Sequence, residues 1–365
     1  MDKIHHLSLP KHARIIVISD IHGELQLLKK LLEKVNYSKE DYLIINGDMC
    51  EKGHDSQGVV QYVMALYEQH PHVYVTEGNC DTLVEDLLQE NQELIDYLCK
   101  RRHSILNEWL DELGITVIEK TRVQEIKKVL TQHFPREIKW LCDLPTAIET
   151  EDYIFVHAGL ADIKHWKDTE RLQAIRMPAF LDKSHQTEKF VVVGHWPVVN
   201  YPSDIPSHNP IIDLEKKIIA MDGGNVVKNT GQLNAFIIDR NSDGDQFSFT
   251  YVDHFKASTI LKDYKAERAM KGSIVYPFYN IVPLEKNQHF TLCRQQETDQ
   301  LFYVKNEYIK QDGTGIFVVK TDVSCAQLSV GEGDLVSIVD DTCTGYTLVK
   351  KDGLEGWLPK SILGE

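Results

Sequence analysis

Arg14–Gly23 reads RIIVISDIHG: four β-branched apolar residues in a row, then Asp20 and His22. An unbroken apolar run of this length is what a sheet strand buried on both faces looks like. Four more runs end in the same way. YLIIN ends at Gly47-Asp48, VYVTE at Gly78-Asn79, YIFV at His157, and FVVV at Gly194-His195. Each is followed at once by a side chain able to bind a metal. In open α/β sheets, ligand sites form beyond the carboxyl ends of the strands. The five ends are therefore expected to converge on one site.

Helical periodicity fills the gaps. ELQLLKKLLEKV (Glu24 to Val35) puts Leu25, Leu28, Leu32 and Val35 on one face, and QGVVQYVMALYEQ does much the same, so the chain opens as βαβαβ. Residues 82–132 are charged and mostly helical in pattern, which predicts an insertion or cap packed at the rim. Thr82 and Glu85 have capping-box spacing before LVEDLL, which explains Asp81 and Thr82 as helix-start residues. After His195 the pattern turns to β in KIIAMDGG, LNAFIID and QFSFTYVDHF, predicting a second sheet packed on the first. A polar helical stretch, STILKDYKAERAMKG, marks a boundary. The tail LSVGEGDLVSIVDDTCTGYTLVKKDGLEGWLPKSILGE has Gly-Asp and Asp-Gly turns between alternating runs, the signature of a small β-barrel. The expected division is a catalytic domain over 1–265, a connecting segment over 266–300 and a β-barrel over 301–365.

A chain of 365 residues suits one large α/β domain plus a small second one, and 42% hydrophobic residues suffice for a sizeable core. No stretch approaches the roughly 20 consecutive apolar residues of a membrane span. The N-terminus lacks a signal-peptide layout, so the protein is expected to be soluble and cytoplasmic, with no membrane partner. Seven cysteines, an odd number at irregular spacing with no Cys-x-x-Cys, suggest reduced thiols rather than a disulfide framework or zinc knuckle. A net charge of −15 disfavours a general nucleic-acid binder. An acidic chain still handles phosphate if metal ions supply positive charge locally. The sequence signals for P-loop, serine-esterase and zincin chemistry are absent.

Asp20, His22, Asp48, Asn79, His157 and His195 together offer carboxylate, imidazole and amide-oxygen ligands. Hard divalent ions such as Mn²⁺ or Fe²⁺ take this mixture, and two of them about 3.5–4 Å apart can share a bridging carboxylate and hydroxide. Singly, each residue has a plain reading: Asp20 a turn residue, Asn79 a turn former, His157 a satisfied core histidine. Six of them at the ends of five strand-like runs point to a metal centre.

The segments DIHG (Asp20 to Gly23), GDMCEKG (Gly47 to Gly53), GNCD (Gly78 to Asp81), HAGL (His157 to Leu160) and GH (Gly194-His195) resemble the ordered motifs of the calcineurin-like metallophosphoesterases. They are more closely similar to the phosphoprotein phosphatase branch, which also includes the symmetrical diadenosine tetraphosphatases. The resemblance covers roughly residues 13 to 240. It implies a two-sheet α/β/β/α sandwich and two divalent ions, Mn²⁺ or an Fe/Mn or Fe/Zn pair. By that resemblance Asp20 and His22 hold the first ion, Asn79, His157 and His195 the second, and Asp48 bridges. A metal-bridging hydroxide would attack phosphorus in line.

Lys52 stands where the family usually has a phosphate-gripping arginine; it keeps the charge but loses the bidentate fork. Arg176, in AIRMPAF, sits where the family often has a second phosphate-binding arginine, with a solvated surface arginine as the alternative. The family's proton-donating dyad, histidine and aspartate, is replaced by Cys80 and Glu51. A thiol is a poorer acid near neutrality than imidazolium, which matters for a serine alkoxide leaving group and hardly at all for an anhydride. This shifts the expectation toward anhydrides or aryl phosphates. A metal-bound water or His54 is an alternative donor, and Cys80 has the plain alternative of filling the turn. MDGGNVVKNTGQLNAFIID resembles the glycine-rich strand pair that closes the family's domain and is given a structural role. The tail resembles a bacterial SH3-like domain in GEGDLVSIV and GWLPKSIL. Trp357 and Pro359 match its Gly-Trp-x-Pro step, but Ile362 stands where peptide-binding versions carry tyrosine. A packing or docking module is expected rather than a proline-rich ligand groove.

The resemblance thus implies a metal-dependent phosphatase of phosphomonoesters, foremost a serine/threonine phosphoprotein phosphatase. The alternatives are a diadenosine tetraphosphatase-like or nucleotide phosphohydrolase, and an SH3-like scaffold with a decayed metal site. The expected partners are a phosphorylated protein or nucleotide polyphosphate and a protein docking on the tail.

Overall fold

A computed structural model describes residues 1–364. The chain forms two compact units. One comprises Met1–Trp196, Pro210–Val227 and Leu233–Val252; the other comprises Pro197–Asn209, Lys228–Gln232 and the chain from Asp253 onward.

Each of the five apolar runs is a strand, and they divide between two sheets of the first unit. Ala13–Ile18, Tyr42–Asn46 and Val73–Thr76 lie parallel in a five-stranded sheet; Tyr153–Val156 and Phe190–Val193 lie parallel in a six-stranded one. The second sheet therefore begins before His195. Of the later β segments, Ile218–Ala220 joins it beside Phe190–Val193. Leu233–Arg240 instead returns to the first sheet, antiparallel to Ala13–Ile18, with Gln246–Val252 beyond it. A run buried on both faces fits the middle of either sheet, so its pattern does not reveal which one it enters.

Alternation along the strands explains the layering. Ile15, Val17, Ile44, Phe236 and Ile238 face Phe155, Val192 and Ile219 of the other sheet in one apolar layer. Ile16, Ile18, Leu43, Ile45, Val73 and Val75 face a layer of helices. Helix Leu25–Lys34 buries Leu27, Leu28, Leu31 and Leu32 there, with Leu25 only half-buried. The helices Leu83–Leu88, Glu93–Lys100, Ile105–Glu112 and Val123–His133 contribute Leu87, Ile95, Trp109 and Leu130 to the same core.

The two sheets are pinned together by one buried polar side chain. Asn46 Nδ2 donates to the carbonyls of Val156 (3.1 Å) and Val192 (3.2 Å), and its Oδ1 accepts from the Thr76 hydroxyl (3.0 Å). Four strands are thus tied together near their carboxyl ends. Asn46→Ala leaves two carbonyls and a hydroxyl without this partner. It is expected to cost about 1–3 kcal/mol in chemical denaturation, and a loss below about 0.5 kcal/mol would mean the pin is dispensable.

The second unit is β-rich. Lys256–Thr259, Leu335–Asp340, Tyr346–Lys351 and Leu354–Pro359 form an antiparallel sheet; Ile281–Lys286, Phe290–Gln295 and Leu301–Lys305 form another. Phe290, Cys293, Phe302, Leu348 and Trp357 share one apolar cluster. The Trp357 indole is fully buried and donates to the Ser324 carbonyl at 2.7 Å. All seven cysteines are free. Among the described residues, no helix is long and apolar enough to cross a membrane.

Candidate metal centre

All six residues singled out as metal ligands lie at the carboxyl ends of their strands, and the structure brings them together. Asp48 is central. Its carboxylate oxygens lie 3.4 Å from His157 Nε2 and 3.8 Å from His22 Nε2. His22 Nε2 is 3.9 Å from Asp20 Oδ1, and both Asp20 oxygens accept from the backbone N–H of His195 at 3.1–3.2 Å. Two trios result, His22, Asp48 and Cys80, and Asp48, His157 and His195, each with its donor atoms within 4.8 Å of one another. Asp48 belongs to both.

Backbone geometry sets these positions. Asp20, His22, Asp48 and His195 all have left-handed φ (56°, 49°, 52° and 65°), so the chain turns sharply where each ligand leaves its strand. Gly47 and Gly78 let two of these turns touch. A Cβ on Gly47 would stand 2.7 Å from His157 Nδ1, and one on Gly78 would stand 2.2 Å from the Asp48 nitrogen.

The donor set fits divalent cations. The Asn79 amide reaches His195 Nδ1 at 2.8 Å and the Ile175 carbonyl at 3.2 Å. With its NH₂ there, it donates to both; with its oxygen there, two lone-pair atoms face each other, and a cation between them relieves the repulsion. Burial raises the Asp20 carboxyl, with Asp48 adding to it. Burial opposes charge on His157, yet Asp48 lifts it to about 10. Burial and neighbouring cations lower His22 to about 3 and His195 to about 4, leaving both as neutral imidazoles.

Lys52 is placed differently from a phosphate clamp open to solvent. Its ammonium is 3.2 Å from His22 Nε2; burial opposes its charge and the Asp48 carboxylate favours it. Arg176 is exposed and lines a cavity of about 310 Å³ together with Asn79, Cys80, Glu51, Tyr97, Asp86 and Glu93. Its helix, Arg171–Arg176, is fastened by Arg171, which donates to Glu77 and Glu85 at 2.7 Å each. His54 is exposed and packs its ring edge against His103.

The expected dyad is not formed as a pair. Cys80 is half-buried, and burial followed by Asp48 holds its thiol far above the ordinary range, so it stays protonated. Glu51 turns to Tyr97 instead, accepting from its hydroxyl at 2.8 Å and from the Ile105 N–H at 2.9 Å.

Two acids were missed as functional residues. Asp81 is not a helix cap. Its carboxylate accepts from the N–H groups of Asp48, Met49, Cys50 and Gly78 at 2.8–3.1 Å, tying the Asp48 turn to the Asn79 turn. The capping box is not made either: the Thr82 hydroxyl donates back to the Asn79 carbonyl (2.9 Å), and Glu85 is engaged by Arg171. Asp222, in the glycine-rich segment, is buried beside Asp20 and Lys52, and burial raises its carboxyl well above the usual range. Its clue in the sequence was an acid closing the apolar run KIIAM.

The model of the calcineurin-like phosphoesterase family matches residues 13–218. The symmetrical bis(5'-nucleosyl)-tetraphosphatase of Buchnera aphidicola subsp. Schizaphis graminum is 31% identical over 140 residues, covering 36% of this chain and 48% of that protein. The chain thus spans about half the length of the curated relatives it matches. Among solved structures, a protein serine/threonine phosphatase from Saccharomyces cerevisiae aligns at TM-score 0.43 and 12% identity, over 69% of this chain and 85% of that one. A cold-active protein-tyrosine phosphatase of a Shewanella species aligns at TM-score 0.43 and 16% identity, over 69% and 83%. With more than half of its length matched by the family model, and side chains able to hold divalent ions gathered at the strand ends, the chain belongs to the calcineurin-like phosphoesterases.

Proposed function

We propose that the protein is a phosphomonoesterase of the phosphoprotein phosphatase type, acting on phosphoserine or phosphothreonine. Asp20 and His22 would hold one ion, Asn79, His157 and His195 the other, with Asp48 shared; the trio of Asp48, His157 and His195 and the placing of His22 Nε2 beside both Asp20 and Asp48 support this assignment. When bound, the ions polarise the phosphoryl oxygens and make water nucleophilic at neutral pH. The chain's own residues do the rest. Asp81 holds the two ligand turns in register, and Lys52 and Arg176 supply the positive charge nearest the phosphoryl group.

The observation that carries the choice of substrate is the wall of the adjoining cavity. Asp86 and Glu93 line it, and Arg176 is the one basic residue among its lining side chains. An acidic wall repels a polyphosphate chain and tolerates a single phosphoryl group on a peptide, above all one with basic neighbours. A second reading, a nucleotide polyphosphate hydrolase, is favoured by the likeness to the Buchnera tetraphosphatases. Residues 301–365 are read as an SH3-like docking module, on the strength of the antiparallel strands Leu335–Asp340, Tyr346–Lys351 and Leu354–Pro359 and the buried Trp357.

Phosphate release in Mn²⁺ buffer from a phosphothreonine peptide and from diadenosine tetraphosphate separates the two readings. A kcat/KM at least about 10-fold higher for the peptide is expected, worth about 1.4 kcal/mol of transition-state discrimination. A preference for the tetraphosphate would overturn the phosphoprotein reading.

A further inference from the structure

A phosphomonoesterase needs a proton for its alkoxide leaving group, and the histidine of the family dyad is missing. Helix Glu93–Lys100 brings Tyr97 to the same cavity that Asn79, Cys80 and Arg176 line. Its hydroxyl hydrogen-bonds Glu51 Oε2 at 2.8 Å, and Glu51 Oε1 is fixed by the Ile105 N–H at 2.9 Å. Glu51 is 1% exposed and shares the cavity wall with Tyr97, so its proton has Tyr97 as its route toward the ligands.

We propose that Tyr97 is the catalytic residue that protonates the leaving oxygen, with Glu51 as the positioning residue that re-supplies it. This rests on the phosphomonoesterase reading above. As the P–O bond breaks, its electron pair stays on the leaving oxygen, which takes the Tyr97 hydroxyl proton. For this the bond seen in the structure, Tyr97 hydroxyl to Glu51 Oε2, must reverse in the protonated carboxyl: Glu51 Oε2–H donates to the Tyr97 oxygen, the hydroxyl proton turns to the leaving oxygen, and the carboxylate left behind, held by the Ile105 N–H, is reprotonated from solvent through Tyr97 before the next turnover. Burial supports this by pushing Glu51 up to about 7, against the pull of its hydrogen bonds from Tyr97 and Ile105. The carboxyl thus keeps its proton for a useful fraction of molecules near neutrality. Tyr97 alone is a weak acid, since burial and Glu51 raise its hydroxyl far above the ordinary range. The pair works where the single residue does not.

The experiment is a leaving-group series of phosphomonoesters, from 4-nitrophenyl phosphate to a phosphothreonine peptide, with wild type, Tyr97→Phe and Glu51→Gln. Glu51→Gln keeps an oxygen for the Tyr97 hydroxyl and removes the carboxyl proton. Both variants are expected to lose about 10²-fold in kcat on the peptide and far less on the nitrophenyl ester, so the loss grows with leaving-group pKa. Equal losses on all esters would mean a structural role, and no loss on any would mean another donor; either overturns the relay. Absence of phosphomonoester hydrolysis by wild type would overturn the parent reading instead.

Discussion

Asp48→Asn is expected to lower kcat/KM for phosphomonoesters by about 10³-fold, because the residue shared by both ligand trios loses the charge that holds the ions. The substitution keeps an acceptor for the Cys80 N–H, which now lies 2.8 Å from Asp48 Oδ1, so the turn has no reason to rearrange. The loss should therefore appear in metal content before it appears in folding. Elemental analysis after Mn²⁺ loading and desalting should give clearly fewer ions per chain than wild type, with an unchanged circular dichroism spectrum. Wild-type metal content together with activity within about 10-fold of wild type would refute the central place given to Asp48.

Trp357→Ala is expected to destabilise the C-terminal unit by about 3–5 kcal/mol. The indole is wholly buried against the rings of Phe290 and Tyr308, at 6.2 and 5.7 Å between centroids, and its Nε1–H is the partner of the Ser324 carbonyl. Truncation leaves a large void and an unmet acceptor at once. Chemical denaturation followed by near-UV circular dichroism reads this out, with the transition treated as more than two-state for a chain of two units. A shift worth less than about 1 kcal/mol would mean that the site collapses around the missing ring.

Much of the candidate centre was legible because a buried strand fixes the depth at which its carboxyl-terminal turn emerges, and Asp20, His22, Asp48, Asn79, His157 and His195 all lie within four residues of such a strand end. Asp81 does not. Its importance comes from N–H groups more than thirty positions earlier in the chain, and the local spacing of Thr82 and Glu85 offered a cheaper explanation that the fold does not use. Tyr97 was hidden for the same reason, since forty-six residues separate it from Glu51 and only the packing of helix Glu93–Lys100 makes them neighbours. Sheet membership was ambiguous too. Leu233–Arg240 carries apolar residues for both layers, so only its pairing with Ala13–Ile18 assigns it.

Four of the ligands occupy backbone conformations that glycine would adopt more cheaply, at about 1 kcal/mol or more apiece. Folding and chemistry are therefore in competition at Asp20, His22, Asp48 and His195. A library screened only for heat resistance should accumulate glycine or asparagine at these sites. Its sturdiest members should be the ones that no longer hold ions, so directed evolution of this chain has to select for turnover and robustness together.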